Sequence, residues 1–181
     1  FGKRFNMMLR LACGQTKIFR RPVIGVFHAL VFWGFCVILF GSLEMVIDGL
    51  SGSEKVFKFL GPVHSFFMAS GDIFAVLVAV SIIIFLSRRL FFNIKRFEGP
   101  EMKHRSHVDA ATALMLILLL MVSLLTMNTG YVGSKSISGE EIAGLYPVSA
   151  IFAGAIKGMS EKGFLLMSEI SWWVHILLIF V

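Results

Sequence analysis

The sequence has little charge for its length. Of its 181 residues only 15% are charged, against roughly 25% in an ordinary soluble domain, whereas 57% are hydrophobic. Long apolar runs accompany this composition, which excludes a disordered chain, a secreted disulfide scaffold and a typical water-soluble enzyme. The composition therefore predicts a membrane protein.

Cysteine is almost absent as well. Cys13 and Cys36 lie 23 residues apart and form no CxxC motif, so this chain alone can build neither a zinc site nor an iron–sulfur cluster. We see no pattern that predicts a signal peptide in this sequence, because the first apolar run is longer than the core of such a peptide. We expect the sequence to be a piece of a longer protein, since it opens on Phe1 without a methionine and stops at Val181 inside an apolar run.

Four stretches are long and apolar enough to cross a bilayer, for which about 20 residues suffice. The predicted spans are 23–47, 59–86, 108–127 and 166–181, the last of which starts between 164 and 170 and continues past the sequence. The fold class is therefore predicted to be all-α, a polytopic transmembrane helical bundle that forms a single membrane domain over 1–181. The stretch 143–156 is too short and too rich in Gly and Pro for a fifth span, and it predicts a short helix or cap on the outer face.

Lysine and arginine concentrate on one side of these spans. Residues 1–22 hold six and the segment 87–107 holds another six, whereas the other two connections hold five between them. Because cytoplasmic segments carry the excess, we expect the N-terminal segment and the 87–107 loop to face the cytoplasm. The net charge of +6 then reflects topology, and a nucleic-acid partner is not expected, since no basic stripe with interleaved aromatic residues lies outside the membrane flanks.

Three histidines lie in or near the spans, where an ionisable side chain indicates function by default. His28 is about five residues into the first span from the inner face, and His64 is about as far into the second span from the outer face. His175 lies in the fourth span and could share the depth of His64. Facing imidazoles in a helical bundle ligate haem iron, so we predict that these three residues are axial haem ligands, with His107 in reserve. The alternative is that each histidine hydrogen-bonds a neighbouring helix or caps a helix end.

Two acids also lie within spans. Asp72 is near the middle of the second span and Glu44 is toward the outer end of the first. Either could exchange protons with a quinone, whose reduction takes two protons with two electrons, and Asp72 is the candidate proton or quinone site. The alternative for Asp72 is a hydrogen bond to a serine on a neighbouring helix. For Glu44 the favoured expectation is simple exposure to the outer water.

Two sequence blocks resemble a known family. They are GQTKIFRRPVIGVFH at 14–28 and WWVH at 172–175, supported by shorter matches at 47–49 and 94–97. These blocks look like the N-terminal membrane part of bacterial membrane-bound Fe–S oxidoreductases, the heterodisulfide-reductase-like proteins with CCG-type domains. That membrane part is in turn similar to the cytochrome b (gamma) subunit of respiratory nitrate reductase. The resemblance runs from about residue 7 to the end of the sequence.

The resemblance implies a haem b-containing domain in the bacterial inner (cytoplasmic) membrane, which is the membrane part of a quinone-linked Fe–S oxidoreductase. It would relay electrons between cytoplasmic [4Fe–4S] clusters, on a part of the chain absent from this sequence, and the quinone pool. His28 and His175 match haem ligands of the gamma subunit, but the position ten residues after His28 is Ile38, where that subunit has a second histidine. We therefore expect one haem or two, with His64 replacing the missing ligand. The implied partners are membrane lipid, quinone and a cytoplasmic donor such as an electron-transfer flavoprotein or an Fe–S subunit.

Two other functions stay open at this point. A haem-free anchor would dock a redox partner, bind quinone at most, and purify as a colourless protein. A small transporter would use Asp72 as its coupling site, but the sequence shows neither an internal repeat nor a pair of broken helices of the kind transporters use.

Overall fold

A computed structural model of the chain describes residues 1–20, 22–91, 104–156 and 158–180, with the side chains of 104–107 left undescribed. All regular structure in these ranges is helical, and they contain no β-strand. The α-helices in these ranges are α1 (Gly2–Met8), α2 (Pro22–Ser51), α3 (Pro62–Phe91), α4 (His104–Ser138), α5 (Pro147–Ala155) and α6 (Glu161–Ile179). The predicted all-α fold class is confirmed.

Four of the described helices are long and apolar enough to cross a membrane. They are Pro22–Ser51, Pro62–Phe91, Val108–Ser138 and Glu161–Ile179. Backbone N–H and C=O groups in hydrocarbon must be paired internally, which a continuous helix does along its length. The number of spans therefore agrees with the sequence, and α5 lies in the stretch 143–156 where a short helix is predicted.

Helix α4 is longer than the predicted span 108–127, because the Asn-Thr-Gly triplet at 128–130 does not stop it and it ends at Ser138. The Thr129 hydroxyl bonds a carbonyl of its own helix at 2.7 Å and leaves the helix intact. Gly130 packs against α6 so closely that a Cβ atom there would lie 2.6 Å from a backbone carbonyl oxygen of α6. Small residues at membrane helix interfaces permit this close approach. Gly130 therefore serves packing within α4, and the helix end predicted at residue 127 was wrong.

Helix α6 begins at Glu161, ahead of the predicted start between 164 and 170. Its N-cap is Ser160, whose hydroxyl accepts the Gly163 backbone N–H at 3.2 Å. Serine is a preferred N-cap because it satisfies one of the unpaired N–H groups of the first turn. Hydropathy missed this start, since the first turn of α6 is polar.

The first two spans also shift by a few residues. The predicted span 23–47 ends before Asp48, but α2 continues and ends at Ser51. The predicted span 59–86 starts three residues too early, because α3 begins at Pro62, where proline suits the first turn of a helix. The second helix therefore enters the bundle later than the hydropathy pattern indicates.

The helices pack in the order α2, α3, α4 and α6, and α5 lies against α4 and α3. We call the end where α2 ends and α3 begins the cap end, since α5 follows α4 there. The opposite end, where α2 begins and α3 ends, is the basic end. It carries the Lys/Arg-rich segments predicted to be cytoplasmic, of which 92–103 lie outside the described residues.

The middle of the bundle is apolar. Its buried cluster consists of Ile38, Ala75, Val78, Ile82, Leu86 and Met121. Gly34 brings α2 close to α3, because a Cβ atom at that position would collide with the side chains of Val78 and Phe74. Gly34 therefore permits the close packing of α2 against α3. The buried polar side chains described below stand out against this apolar background.

Candidate functional site

Three polar side chains lie together at the cap end: Glu44 of α2 and His64 of α3, which are buried, and Lys55 of the connection between α2 and α3, whose side chain is 17% exposed. Glu44 and His64 are each 1% exposed. The Glu44 carboxylate lies 3.0 Å from His64 Nε2 and 3.8 Å from Lys55 Nζ, and it accepts the Phe57 backbone N–H at 2.9 Å. A buried charge needs such partners. The expectation that Glu44 faces the outer water was therefore wrong, because the connection after α2 supplies it with partners.

The backbone of Lys55 has the left-handed conformation, with φ 56° and ψ 64°. This conformation costs a non-glycine residue about 1–2 kcal/mol. Asp48 compensates for it, since its carboxylate accepts the backbone N–H groups of Lys55 at 3.1 Å and of Val56 at 2.8 Å. The connection is thereby fixed with the Lys55 ammonium beside Glu44 and over the rings of Tyr131 and Tyr146, 5.4 and 5.5 Å from their centroids.

The charge of Lys55 is maintained in this environment. Burial by itself lowers the pKa of the Lys55 ammonium, but attraction to Tyr146 and to Glu44 outweighs burial, so the pKa is raised above its ordinary value. Because burial raises the pKa of the Tyr146 hydroxyl as well, the tyrosine is neutral at physiological pH, and Glu44 is the charged partner of Lys55 there. Lys55 is therefore a cation across the whole physiological range.

Asp72 of α3 is 1% exposed and binds the start of α5. Its carboxylate accepts the backbone N–H groups of Val148 at 2.8 Å and Ser149 at 2.9 Å, and it accepts the Ser149 hydroxyl as well. A carboxylate at a helix N-terminus pairs N–H groups that the helix cannot satisfy and complements the helix dipole. The serine partner expected as one alternative is thus Ser149, and Asp72 attaches α5 to the bundle.

We expect Asp72→Ala to release α5 and to lower the free energy of unfolding by about 2–4 kcal/mol, because hydrogen bonds to a buried charge are lost and backbone donors are left unpaired. Hydrogen exchange of the amides of 147–155, followed by mass spectrometry, measures the release. Ser149→Ala is the matched control, since it removes one hydroxyl and leaves both backbone bonds to Asp72. Equal exchange in Asp72→Ala and the unaltered protein would contradict this role.

His175 of α6 is 1% exposed and pairs with Ser123 of α4. The His175 Nδ1 lies 2.8 Å from the Ser123 Oγ. That hydroxyl donates its single hydrogen to the Leu120 carbonyl at 2.9 Å, so it acts as acceptor toward the ring. We therefore assign the proton of the neutral imidazole to Nδ1, which leaves the lone pair on Nε2.

The structure does not bring His64 and His175 together. His64 is the third residue of α3 and His175 is the fifteenth of α6. Both helices start at the cap end, so at 1.5 Å per residue the two rings lie about 15 Å or more apart along the bundle. The expectation of a shared depth was wrong, because α6 begins earlier in the sequence and α3 later than predicted.

The remaining predicted histidines lie elsewhere. His28 is exposed on α2 and lies closer to the basic end than His175. His107 is in the first turn of α4, and its side chain lies outside the described residues. Within the described ranges, no three or more His, Cys, Asp or Glu side chains form a group that could hold a metal ion.

A cavity of about 350 Å³ opens between α2, α3, α4 and α6 on the cap side of His175. Its walls are mostly apolar and aromatic, and Trp172, one turn before His175 on α6, belongs to them. Its polar lining residues are Asp48, Ser53, Glu54, Lys55, Asp72, Asn128, Tyr131 and Ser168. A second, polar cavity of about 280 Å³ adjoins it at the cap end and shares Glu54, Lys55 and Tyr131.

Sequence analysis missed Lys55, Ser123 and Asn128. Lys55 was counted only as a loop charge, although the nearby Asp48 could have indicated a folded connection. Ser123 and Asn128 are ordinary small polar residues within an apolar helix, and the only signal in the sequence was their position inside a predicted span or directly after it. Their roles depend on which residue of another helix lies opposite.

Two curated proteins are similar to this chain. The probable iron-sulfur-binding oxidoreductase FadF of Bacillus subtilis (strain 168) is 25% identical over 178 residues, which cover 98% of this chain and 23% of that protein. The EtfAB:quinone oxidoreductase of Syntrophomonas wolfei subsp. wolfei is 22% identical over 173 residues, or 92% of this chain and 23% of that protein. No protein-family model and no solved structure matches the chain. The chain thus spans about a quarter of the length of these relatives, and it is related at low identity to an iron–sulfur oxidoreductase.

Proposed function

We propose that this chain is the membrane domain of an Fe–S oxidoreductase that relays electrons between cytoplasmic iron–sulfur clusters and the membrane quinone pool through haem b. The names of the two relatives support the iron–sulfur and quinone parts of this function. The four apolar helices support a membrane location. The basic end faces the cytoplasm in this proposal, where the Fe–S part and a donor such as an electron-transfer flavoprotein would dock.

The observation that carries the haem part is the pair of His175 and Ser123. An imidazole that binds a metal uses one nitrogen and commonly donates the N–H of the other to a fixed acceptor. His175 fits this arrangement: its Nδ1 pairs with Ser123 Oγ at 2.8 Å, and with the ring proton assigned to Nδ1 the lone pair that can bind a metal is on Nε2. The residues present therefore fit an axial ligand at this position.

We assign His28 to a second haem closer to the basic end. Its exposed ring is accessible from outside the packed helices, and its level differs from that of His175. When bound, haem iron takes up and releases one electron at a time. His64 is left out of this ligand set, because its Nε2 is held by both oxygens of Glu44 at 3.0 and 3.1 Å.

Ser123→Ala should weaken haem binding at His175 by roughly 10–100-fold, the usual effect of removing an outer-shell partner of a metal-binding histidine. Transfer of haem from the purified full-length protein to excess apomyoglobin measures this loss as a rate. Ser123→Thr keeps the hydroxyl and should retain haem. Ser81→Ala removes a buried hydroxyl that bonds only its own helix and should have no effect. Equal transfer rates for Ser123→Ala and Ser81→Ala would refute the pairing.

The haem-free anchor is the second candidate, favoured by the three different levels at which His28, His64 and His175 lie. A reduced-minus-oxidised spectrum of the full-length protein, with a pyridine haemochrome assay of haem per chain, decides between the two. A b-type α-band supports the cytochrome function. A colourless protein made with adequate haem supply would leave the anchor.

A further inference from the structure

We propose that the cavity between α2, α3, α4 and α6 binds a quinone headgroup, with the Asn128 amide and the Lys55 ammonium as hydrogen-bond donors to its carbonyl oxygens. This inference rests on the proposed function and adds the place and the residues of quinone binding. The site consists of the cavity and its lining residues, and it does not depend on which histidines hold haem.

The size and walls of the cavity fit a flat ring. Its volume of about 350 Å³ is at the small end of the roughly 300–1,000 Å³ typical of small-molecule sites. Phe67 of α3 and Trp172 of α6 supply aromatic surface, and Leu124 and Met127 of α4 supply aliphatic surface. Such aromatic and aliphatic surface suits the flat headgroup of a benzoquinone or naphthoquinone, whose isoprenoid tail would stay outside.

Asn128 is the observation that calls for a ligand. It is only 6% exposed and lines the cavity, yet among the described residues its amide makes no hydrogen bond. An amide that reaches the cavity surface without a protein partner is free to bond a molecule there, and a ligand that fills the cavity without pairing with it would lose that hydrogen bond. Its neighbour Thr129 is equally buried, at 3%, but bonds a carbonyl of its own helix. The Asn128 amide is therefore available to an oxygen atom of a molecule in the cavity.

Lys55 supplies a second donor and sets the charge of the ligand. Its ammonium is balanced by Glu44 at 3.8 Å, while the carboxylates of Asp48, Glu54 and Asp72 also line the cavity. These acids disfavour an anionic ligand such as a phosphate or a fatty acid. A neutral molecule that accepts hydrogen bonds at both ends of an apolar ring satisfies Lys55 and Asn128 without adding a negative charge.

The cavity lies beside both lipid and water. Helices α2 and α6 are the first and the last in the packing order. They contact each other where the Trp172 indole lies against Gly49, since a Cβ atom added to Gly49 would be 2.8 Å from that ring. An isoprenoid tail would leave the cavity toward the lipid between α2 and α6. The adjoining polar cavity reaches Lys55 from the cap end, so the Lys55 side of the headgroup faces water.

Photoaffinity labelling of the full-length protein in lipid nanodiscs tests the inference. The probe is an azido-benzoquinone with a short isoprenoid tail, decylubiquinone is the competitor, and peptide mass spectrometry locates the label. We expect label within 127–131 and 168–172, removed by competitor. Asn128→Ala and Lys55→Met should each raise the half-saturating probe concentration roughly tenfold or more, as expected for a lost buried hydrogen bond. Thr129→Ala and Lys58→Met, an exposed lysine paired with Glu141, should leave it unchanged.

Three results would overturn the site. One is competitor-sensitive label confined to other segments, and another is Asn128→Ala protein labelled as readily as Thr129→Ala. The third is loss of haem absorbance in Asn128→Ala, which would assign the cavity to the haem. Failure of the proposed function is distinguishable from failure of the site. In that case the unaltered full-length protein lacks both haem and quinone-linked turnover, and both are measured before any variant is labelled.

Discussion

Glu44→Ala is expected to lower the free energy of unfolding by about 3–5 kcal/mol, the usual effect of removing one partner of a buried ion pair. The change leaves the Lys55 ammonium without its carboxylate, His64 Nε2 without its acceptor, and the Phe57 backbone N–H unpaired. Unfolding of the purified protein by sodium dodecyl sulfate in mixed micelles, followed by circular dichroism, measures the difference.

Two variants separate charge from surface effects. Glu44→Gln keeps an oxygen acceptor for Phe57 and loses only the charge, so it should fall between the unaltered protein and Glu44→Ala. Glu54 is mostly exposed and pairs with Lys135 at 3.3 Å, so Glu54→Ala should change stability by less than about 1 kcal/mol. If Glu44→Ala is as mild as Glu54→Ala, the cluster does not stabilise the cap end.

His175→Ala is expected to remove one b-type haem completely, because the axial ligand and its pairing with Ser123 are lost together. Under the same proposal, His28→Ala removes the other haem. Pyridine haemochrome assays of haem per chain, with low-temperature spectra to resolve the α-bands, give the result for each variant. Membrane insertion should be intact in both, since neither residue is needed for the apolar length of its helix.

His64→Ala is the matched control for this experiment. It is as buried as His175 but is bonded to Glu44, so it should retain full haem content while unfolding more easily. Haem loss in His64→Ala with retention in His175→Ala would reverse the assignment and restore His64 as a ligand. Full haem content in all three variants would remove the described histidines from the ligand set.

The sequence predicted the number and class of the membrane helices well, because apolar length is a local property. It predicted their ends less well. The triplet at 128–130 has the composition of a helix stop. Gly130 nevertheless lies inside α4, where it allows close packing against α6, a helix more than 30 residues later in the chain. Ser160 carries a capping signal that hydropathy does not detect.

The sequence predicted which polar residues are important, but it did not predict which residues they bind. Glu44, Asp72, His64 and His175 stand out in the sequence as ionisable groups in apolar surroundings, which is why they could be selected. Their partners are 11 to 77 residues distant for the two acids, and Ser123 is 52 residues from His175. Only the packing order of the helices fixes such pairs, and hydropathy carries no information on that order.

The attachment of α5 to Asp72 has a consequence for the order in which the protein is made. Asp72 precedes its first partner, Val148, by 76 residues, so a chain synthesised from its N-terminus inserts α3 well before α5 exists. During that interval Asp72 is in the membrane while Val148 and Ser149, whose backbone N–H groups bind it, have not yet left the ribosome. An ionisable side chain without partners is costly in hydrocarbon. The helix α3 is therefore expected to stay beside the insertion machinery until α5 emerges, and its release into lipid reports that the cap end has closed.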